Sequence, residues 1–242
     1  MVTNLAYFFE TSRKVRGGKA VWVKDSNGEA RGNVLLGGTI KNPNKGFGKL
    51  WAAQLVQYTP GKGCYIFRSF AIKTSASDNA TEYVINGDGY SDAPEVGMVI
   101  MVAPEALKVE TLKANTDTGV VTKTVADYTG QSAKITNVVY DEANSKFTIT
   151  VDNTLGALDA GAILVEATGT AKAANAKPLV TNPNTFIEAD RELLPTEGYG
   201  FENANYSLST VYNKQAWIAR MQPLPKYVLA KNKSNIDGIF WI

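Results

Sequence analysis

Residues 134–169 read KITNVVYDEANSKFTITVDNTLGALDAGAILVEATG, and this stretch sets the expectation for the whole chain. Val138, Tyr140, Phe147, Ile149 and Val151 are apolar, and polar residues alternate with them from Lys146 to Val151. A period of two belongs to a half-buried β-strand, because successive side chains point to opposite faces. Asp141-Glu142-Ala143-Asn144-Ser145 separates the first two runs with the length and composition of a hairpin loop. A turn through residues 155–161 leads into a third strand over 162–167, which stops at Thr168-Gly169.

Strand signals continue on the N-terminal side. The runs 120–125, 96–102, 81–86, 64–72 and 50–58 all read as strands. VGMVIMV at 96–102 is continuously apolar, bounded by Pro94 and Pro104, and short enough for a fully buried strand. Ala106 to Lys113 has the beginnings of a helical pattern, but Thr111, Thr116, Thr118, Thr122 and Thr124 favour strand or loop there. Residues 97–103 (GMVIMVA) resemble 161–167 (GAILVEA), as two equivalent strands of one barrel would. The likeness is too weak to establish a repeat. Residues 1–50 are rich in Gly, Asn and Lys, with one short strand at 19–24 (KAVWVK), and read as an extended arm or as edge strands.

On the C-terminal side, residues 168–185 form a polar connection carrying Pro178 and Pro183. Phe186 to Leu194 is the most helix-like stretch, capped by Asn184 or Thr185 and followed by Pro195. Residues 211–221 and 227–231 read as strands, and 236–242 closes on an apolar run suited to a last core strand or to insertion in a partner. Tyr199, Phe201, Tyr206, Tyr212, Trp217, Tyr227, Phe240 and Trp241 make this region aromatic-rich. Such aromatics serve as core, as interface or as a stacking platform, and core is the commonest use. The expected fold is mainly β: a β-barrel or β-sandwich body over 51–169, preceded by the 1–50 segment. A loop, a short helix and C-terminal strands over 170–242 complete it.

The 242 residues carry 25 basic and 23 acidic side chains. A net +2 gives no strong general attraction to nucleic acid. The basic residues are concentrated, however. Residues 10–50 hold nine basic against three acidic side chains, a net +6 that leaves −4 for the remainder. No run approaches the roughly 18 apolar residues of a membrane span, and the basic cluster follows rather than precedes the first apolar residues, unlike a secretory signal. Synthesis in the cytoplasm without a targeting segment is the expectation.

The chain has no histidine, so the commonest general base and metal ligand is missing. The single cysteine, Cys64, sits among apolar residues and reads as a buried structural thiol. Asn86-Gly87-Asp88-Gly89-Tyr90-Ser91-Asp92 has oxygen ligands at alternate positions, as in a calcium loop, but lacks the closing glutamate and reads better as a turn. Gly61-Lys62-Gly63-Cys64 lacks the glycine spacing of a phosphate loop. Among the carboxylate pairs Asp141/Glu142, Asp190/Glu192 and Glu188/Glu192, the last would share a helix face and reads as a solvated surface. The expectation is a protein without catalytic activity, metal or cofactor.

The 134–169 unit covers about a seventh of the chain. With its ITV strand, Leu-Gly…Ala-Gly turn and Leu-Val-Glu-Ala strand, it resembles tailed-bacteriophage head decoration and head-fibre proteins, the auxiliary capsid proteins of large heads including those of crAss-like phages. That resemblance implies a virion structural protein on the capsid surface, bound to the major capsid protein and arranged as a homo-oligomer or symmetric array. It implies no specific nucleic acid and no membrane. A head–tail connector or ring subunit and a carbohydrate-binding or adhesion module are the alternatives. The termini are the expected partner interface. Arg13, Lys14, Arg16 and Lys19 suit an acidic neighbour, since guanidinium groups bridge carboxylates in pairs. Phe240, Trp241 and Ile242 would supply apolar anchorage.

Overall fold

The computed structural model describes residues 32–39, 41–42, 49–50, 54–59, 63–87, 93–116, 119–170, 172–187, 191–192, 205–211, 215–216, 222–231 and 240–241. Of these, the backbone alone is described at 32–39, 49–50, 63, 185–187, 191–192, 205–211, 215–216, 231 and 240–241. Among the described residues, eighteen strands and one helix form. The first six strands are β1 (Gly32–Thr39), β2 (Lys49–Leu50), β3 (Leu55–Thr59), β4 (Gly63–Ile66), β5 (Ser69–Thr74) and β6 (Glu82–Asn86). Next come β7 (Val99–Val102), β8 (Lys108–Ala114), β9 (Val121–Asp127), β10 (Ser132–Asp141), β11 (Lys146–Val151) and β12 (Ile163–Thr168). Then follow β13 (Lys177–Pro178), β14 (Thr185–Ile187), β15 (Arg191–Glu192), β16 (Asn205–Val211), β17 (Gln215–Ala216), α1 (Lys226–Lys231) and β18 (Phe240–Trp241). The mainly β expectation holds.

Strands β12, β5, β6, β11, β10 and β7 lie side by side, and β12 also pairs with β7, so the six close into an antiparallel ring. The body is therefore a barrel rather than a sandwich. Closure removes free sheet edges, and the interior is filled by alternate side chains. Phe147, Ile149 and Val151, the inward positions read from the sequence, are buried with Ile72, Ile85 and Ile135 in one cluster.

The barrel has an internal two-fold axis. It relates β5, β6 and β7 to β10, β11 and β12. β5 pairs with β6 and β12, and β10 pairs correspondingly with β11 and β7. The registers agree: Ser69, Phe70 and Ala71 oppose Val165, Leu164 and Ile163, while Ser132, Ala133 and Lys134 oppose Met101, Ile100 and Val99. The axis passes through the pairs Tyr83↔Ile149 and Met101↔Val165, each of which the rotation exchanges within itself. Irregularities match too, with register shifts between Ile72 and Thr74 and between Ile135 and Asn137.

The turns repeat in the same way. Met98 N–H donates to Glu95 O (3.1 Å) and Ala162 N–H to Asp159 O (3.0 Å). Gly97 and Gly161, at φ +95° and +89°, occupy the third position of these turns, a left-handed geometry that glycine adopts without steric cost. Beyond them Gly97 N–H donates to Ile135 O, and Gly161 N–H to Ile72 O, both at 2.8 Å. Residues 97–103 and 161–167 thus occupy the same turn and third strand in the two halves of the barrel.

Outside the ring, β7 and β12 are covered by a second layer. Met101 and Val165 turn outward and are buried with Leu55, Phe67, Leu224 and Tyr227. This explains the unbroken apolar run at β7, whose two faces both meet apolar partners. The second layer includes a five-stranded antiparallel sheet in the order β1-β16-β14-β3-β4. The two-fold-related serines Ser69 and Ser132 are fully buried and hold flanking segments to the barrel. The Ser69 hydroxyl donates to Pro223 O at 2.5 Å, and that of Ser132 lies 3.2 Å from Thr170 O. The polar 168–185 connection also packs closely: β13 pairs with β12, and Ala176 and Val180 are buried.

Several local expectations are corrected. The described residues of the 186–194 stretch are strand, not helix: Phe186 pairs with both β3 and β16, Ile187 pairs with β16, and Arg191 and Glu192 pair with Leu50 and Lys49, while 188–190, 193 and 194 lie outside the described residues. A two-turn helix has little stability of its own and yields to sheet pairing. Conversely 226–231 is helix, not strand, starting after Pro225, whose carbonyl accepts from Val228 N–H (3.0 Å). The 64–72 strand breaks at Phe67-Arg68, where both side chains are buried, and in the 50–58 stretch Gln54 is not strand, while 51–53 lie outside the described residues. Of the expected 211–221 strand, Val211 ends β16 and Gln215–Ala216 form β17, while 212–214 and 217–221 lie outside the described residues. Residues 108–114 take the strand alternative.

Candidate interaction surface

Between the two halves of the barrel the chain makes one excursion, β8 and β9. Among the described residues the strands pair only with each other, from Lys108↔Asp127 to Ala114↔Val121. Alternating Val, Thr and charged residues favour extended backbone here. The connection is closed by Asn115 N–H to Val120 O and Gly119 N–H to Asn115 O, both 2.9 Å, with Gly119 at φ +67°. Every strand residue of this ribbon is exposed.

Directly opposed residues share a face. One face carries Leu112, Ala114, Val121 and Val125 together with Lys108, Glu110, Lys123 and Asp127. Leu112 is 68% exposed and Val121 60%. The other face is dominated by Thr111, Thr122 and Thr124. A two-stranded ribbon with no apolar backing is marginal in water, so these exposed branched aliphatic side chains make the ribbon a candidate association surface.

The ribbon is fixed at its base. Leu107 and Tyr128 pack against the second-layer cluster, and Tyr128 N–H donates to Leu107 O at 2.9 Å. Lys108 and Lys177 both bind the Asp127 carboxylate, the latter at 2.9 Å. Their hydrogen bonds and charges hold Asp127 at about 2, below its ordinary 3.8. Lys123 pairs with Glu110 across the strands (2.7 Å), and Lys226 of α1 with Glu105 (2.5 Å).

Charge is also buried within the body. Arg68 Nη1 donates to Glu166 Oε2 (3.1 Å) and Nη2 to Asn42 O (2.8 Å). Asn42 Nδ2 reaches Glu166 Oε2 and Ile66 O, both at 2.8 Å, and its Oδ1 accepts from Ile66 N–H. This clip ties the segment entering the body to β4 and β12. It is a structural device, since its polar atoms are directed at one another. Burial pushes the Cys64 thiol up to about 12, so it is protonated and inert, as its apolar neighbours suggested. Burial likewise raises Tyr227, whose hydroxyl donates to Val180 O at 2.9 Å.

Arg13, Lys14, Arg16, Lys19 and Ile242 lie outside the described residues. Phe240 and Trp241 form β18, parallel to Gln215 and Ala216. In the 86–92 turn Gly87 N–H donates to Ser145 O at 2.9 Å, and residues 88–92 lie outside the described set. Of the aromatic group Tyr206 falls on β16, while Tyr199, Phe201, Tyr212 and Trp217 lie outside. Glu192 stands on a strand, so no helix face pairs it with residue 188. Among the described residues no group of three or more His, Cys, Asp or Glu side chains is placed to hold a metal ion. Sequence reasoning named the threonines of the ribbon but not its exposed aliphatic face, because alternation looks the same whether or not something covers it. Comparison with family models, with curated proteins and with solved structures finds no match.

Proposed function

We propose that the chain is an assembly protein without catalytic function, an auxiliary or decoration subunit of a tailed-phage capsid that binds the major capsid protein. The observation that carries this reading is the ribbon, which presents aliphatic side chains to water from a barrel otherwise closed on itself. A solitary barrel gains nothing from such a projection, whereas a subunit of a shell uses it to reach a neighbour. The likeness of residues 134–169 to head decoration proteins and the basic N-terminal fifth support the same reading.

The test is cosedimentation of the purified chain with capsids assembled from the same genome without it. Saturable binding at a stoichiometry set by the capsid lattice is the expected result, weakening as salt rises. Absence of binding overturns the reading, and binding confined to a single vertex favours a ring subunit instead.

A further inference from the structure

We propose that the tip half of the β8–β9 ribbon docks on the same half of a second copy of this chain across a two-fold axis. The inference rests on reading the ribbon as an association surface and names what it associates with.

A two-fold contact places one patch against itself, so the patch must be self-complementary. The aliphatic face meets that requirement. Its four charged residues comprise two of each sign, and they are already paired within the chain, Lys108 with Asp127 and Lys123 with Glu110. A strongly acidic or basic partner would find no opposite field here, and a copy of the same neutral face carries no penalty of like charge. Toward the tip Leu112, Ala114 and Val121 lie together on this face. Two ribbons laid antiparallel put these tips in contact and leave the two barrels at opposite ends. So small a patch falls well below the about 800 Å² per partner of a standard interface. The contact is therefore weak between free molecules and is reinforced where copies are held side by side.

Sedimentation velocity of the full chain, from micromolar to near-millimolar concentration, tests this. The expected result is a concentration-dependent shift from monomer to dimer, lost in Leu112→Asp and in Val121→Asp. Both positions are exposed, so these variants should melt with the wild type, and melting is measured alongside. As a second readout, mild oxidation of Leu112→Cys should yield a disulfide-linked dimer, whereas Val139→Cys, on the barrel wall and also exposed, should not. A wild type that stays monomeric throughout, or aspartate variants that dimerise like it, overturns the proposal. So does equal cross-linking at the two cysteine positions. If the wild type is monomeric and yet binds capsids, this inference fails and the assembly reading stands. If it dimerises through Leu112 but binds no capsid, the reverse holds.

Discussion

Tyr83 lies opposite Ile149 at the centre of the barrel's two-fold strand pairing. The side chain is 1% exposed. The hydroxyl donates to Ala80 O at 2.9 Å and accepts from the buried Leu155 N–H at 2.8 Å, so it pins the 152–158 connection over one end of the barrel. Tyr83→Phe keeps the ring and its packing but orphans the Leu155 donor. A buried donor left without a partner costs about 1–3 kcal/mol. At about 2–4 °C per kcal/mol for a chain of this size, Tm should fall by roughly 2–12 °C. Tyr83→Ala also opens a cavity and should lose about 3–5 kcal/mol for the ring. Denaturant titration and calorimetry give both losses, and hydrogen exchange gives the local effect, with the Leu155 amide losing protection in Tyr83→Phe. A Tyr83→Phe protein that melts with the wild type and still protects that amide would refute the role assigned to the hydroxyl.

Two further outcomes follow from the geometry. Asp127 is held at about 2, below its unfolded value, so its bonds to Lys108 and Lys177 contribute stability above the ordinary carboxylate range, and that contribution is lost as pH falls from 3.8 through about 2. An NMR titration should find the depressed midpoint and should see it rise in Lys177→Met; a wild-type midpoint at the ordinary value contradicts the double lysine contact. Gly97→Ala and Gly161→Ala meet open space, so each should cost about 1–2 kcal/mol for left-handed backbone alone, and the internal two-fold requires the two losses to be similar. A silent Gly161→Ala beside a destabilising Gly97→Ala would break the equivalence of the turns.

The sequence by itself determined the local geometry of the 134–169 unit. Its period of two, its loop residues and the turn glycine Gly161 give three strands with Phe147, Ile149 and Val151 facing inward. It also determined the inert, buried state of Cys64, because an apolar neighbourhood raises a thiol's pKa whatever the topology. Tertiary structure decided the rest. The ring exists because β7 and β12, far apart along the chain, pair with each other, and no local pattern encodes a partner. The same non-local pairing drew Phe186 and Ile187 into a sheet against a short helical signal, while packing against the second layer coiled residues 226–231 against a strand signal. The ribbon is the sharpest instance. Its alternation is that of any half-buried strand, and only the course of the rest of the chain leaves both its faces in water. Strand character follows from side-chain spacing along the backbone, whereas exposure is set by which distant segments arrive to cover it.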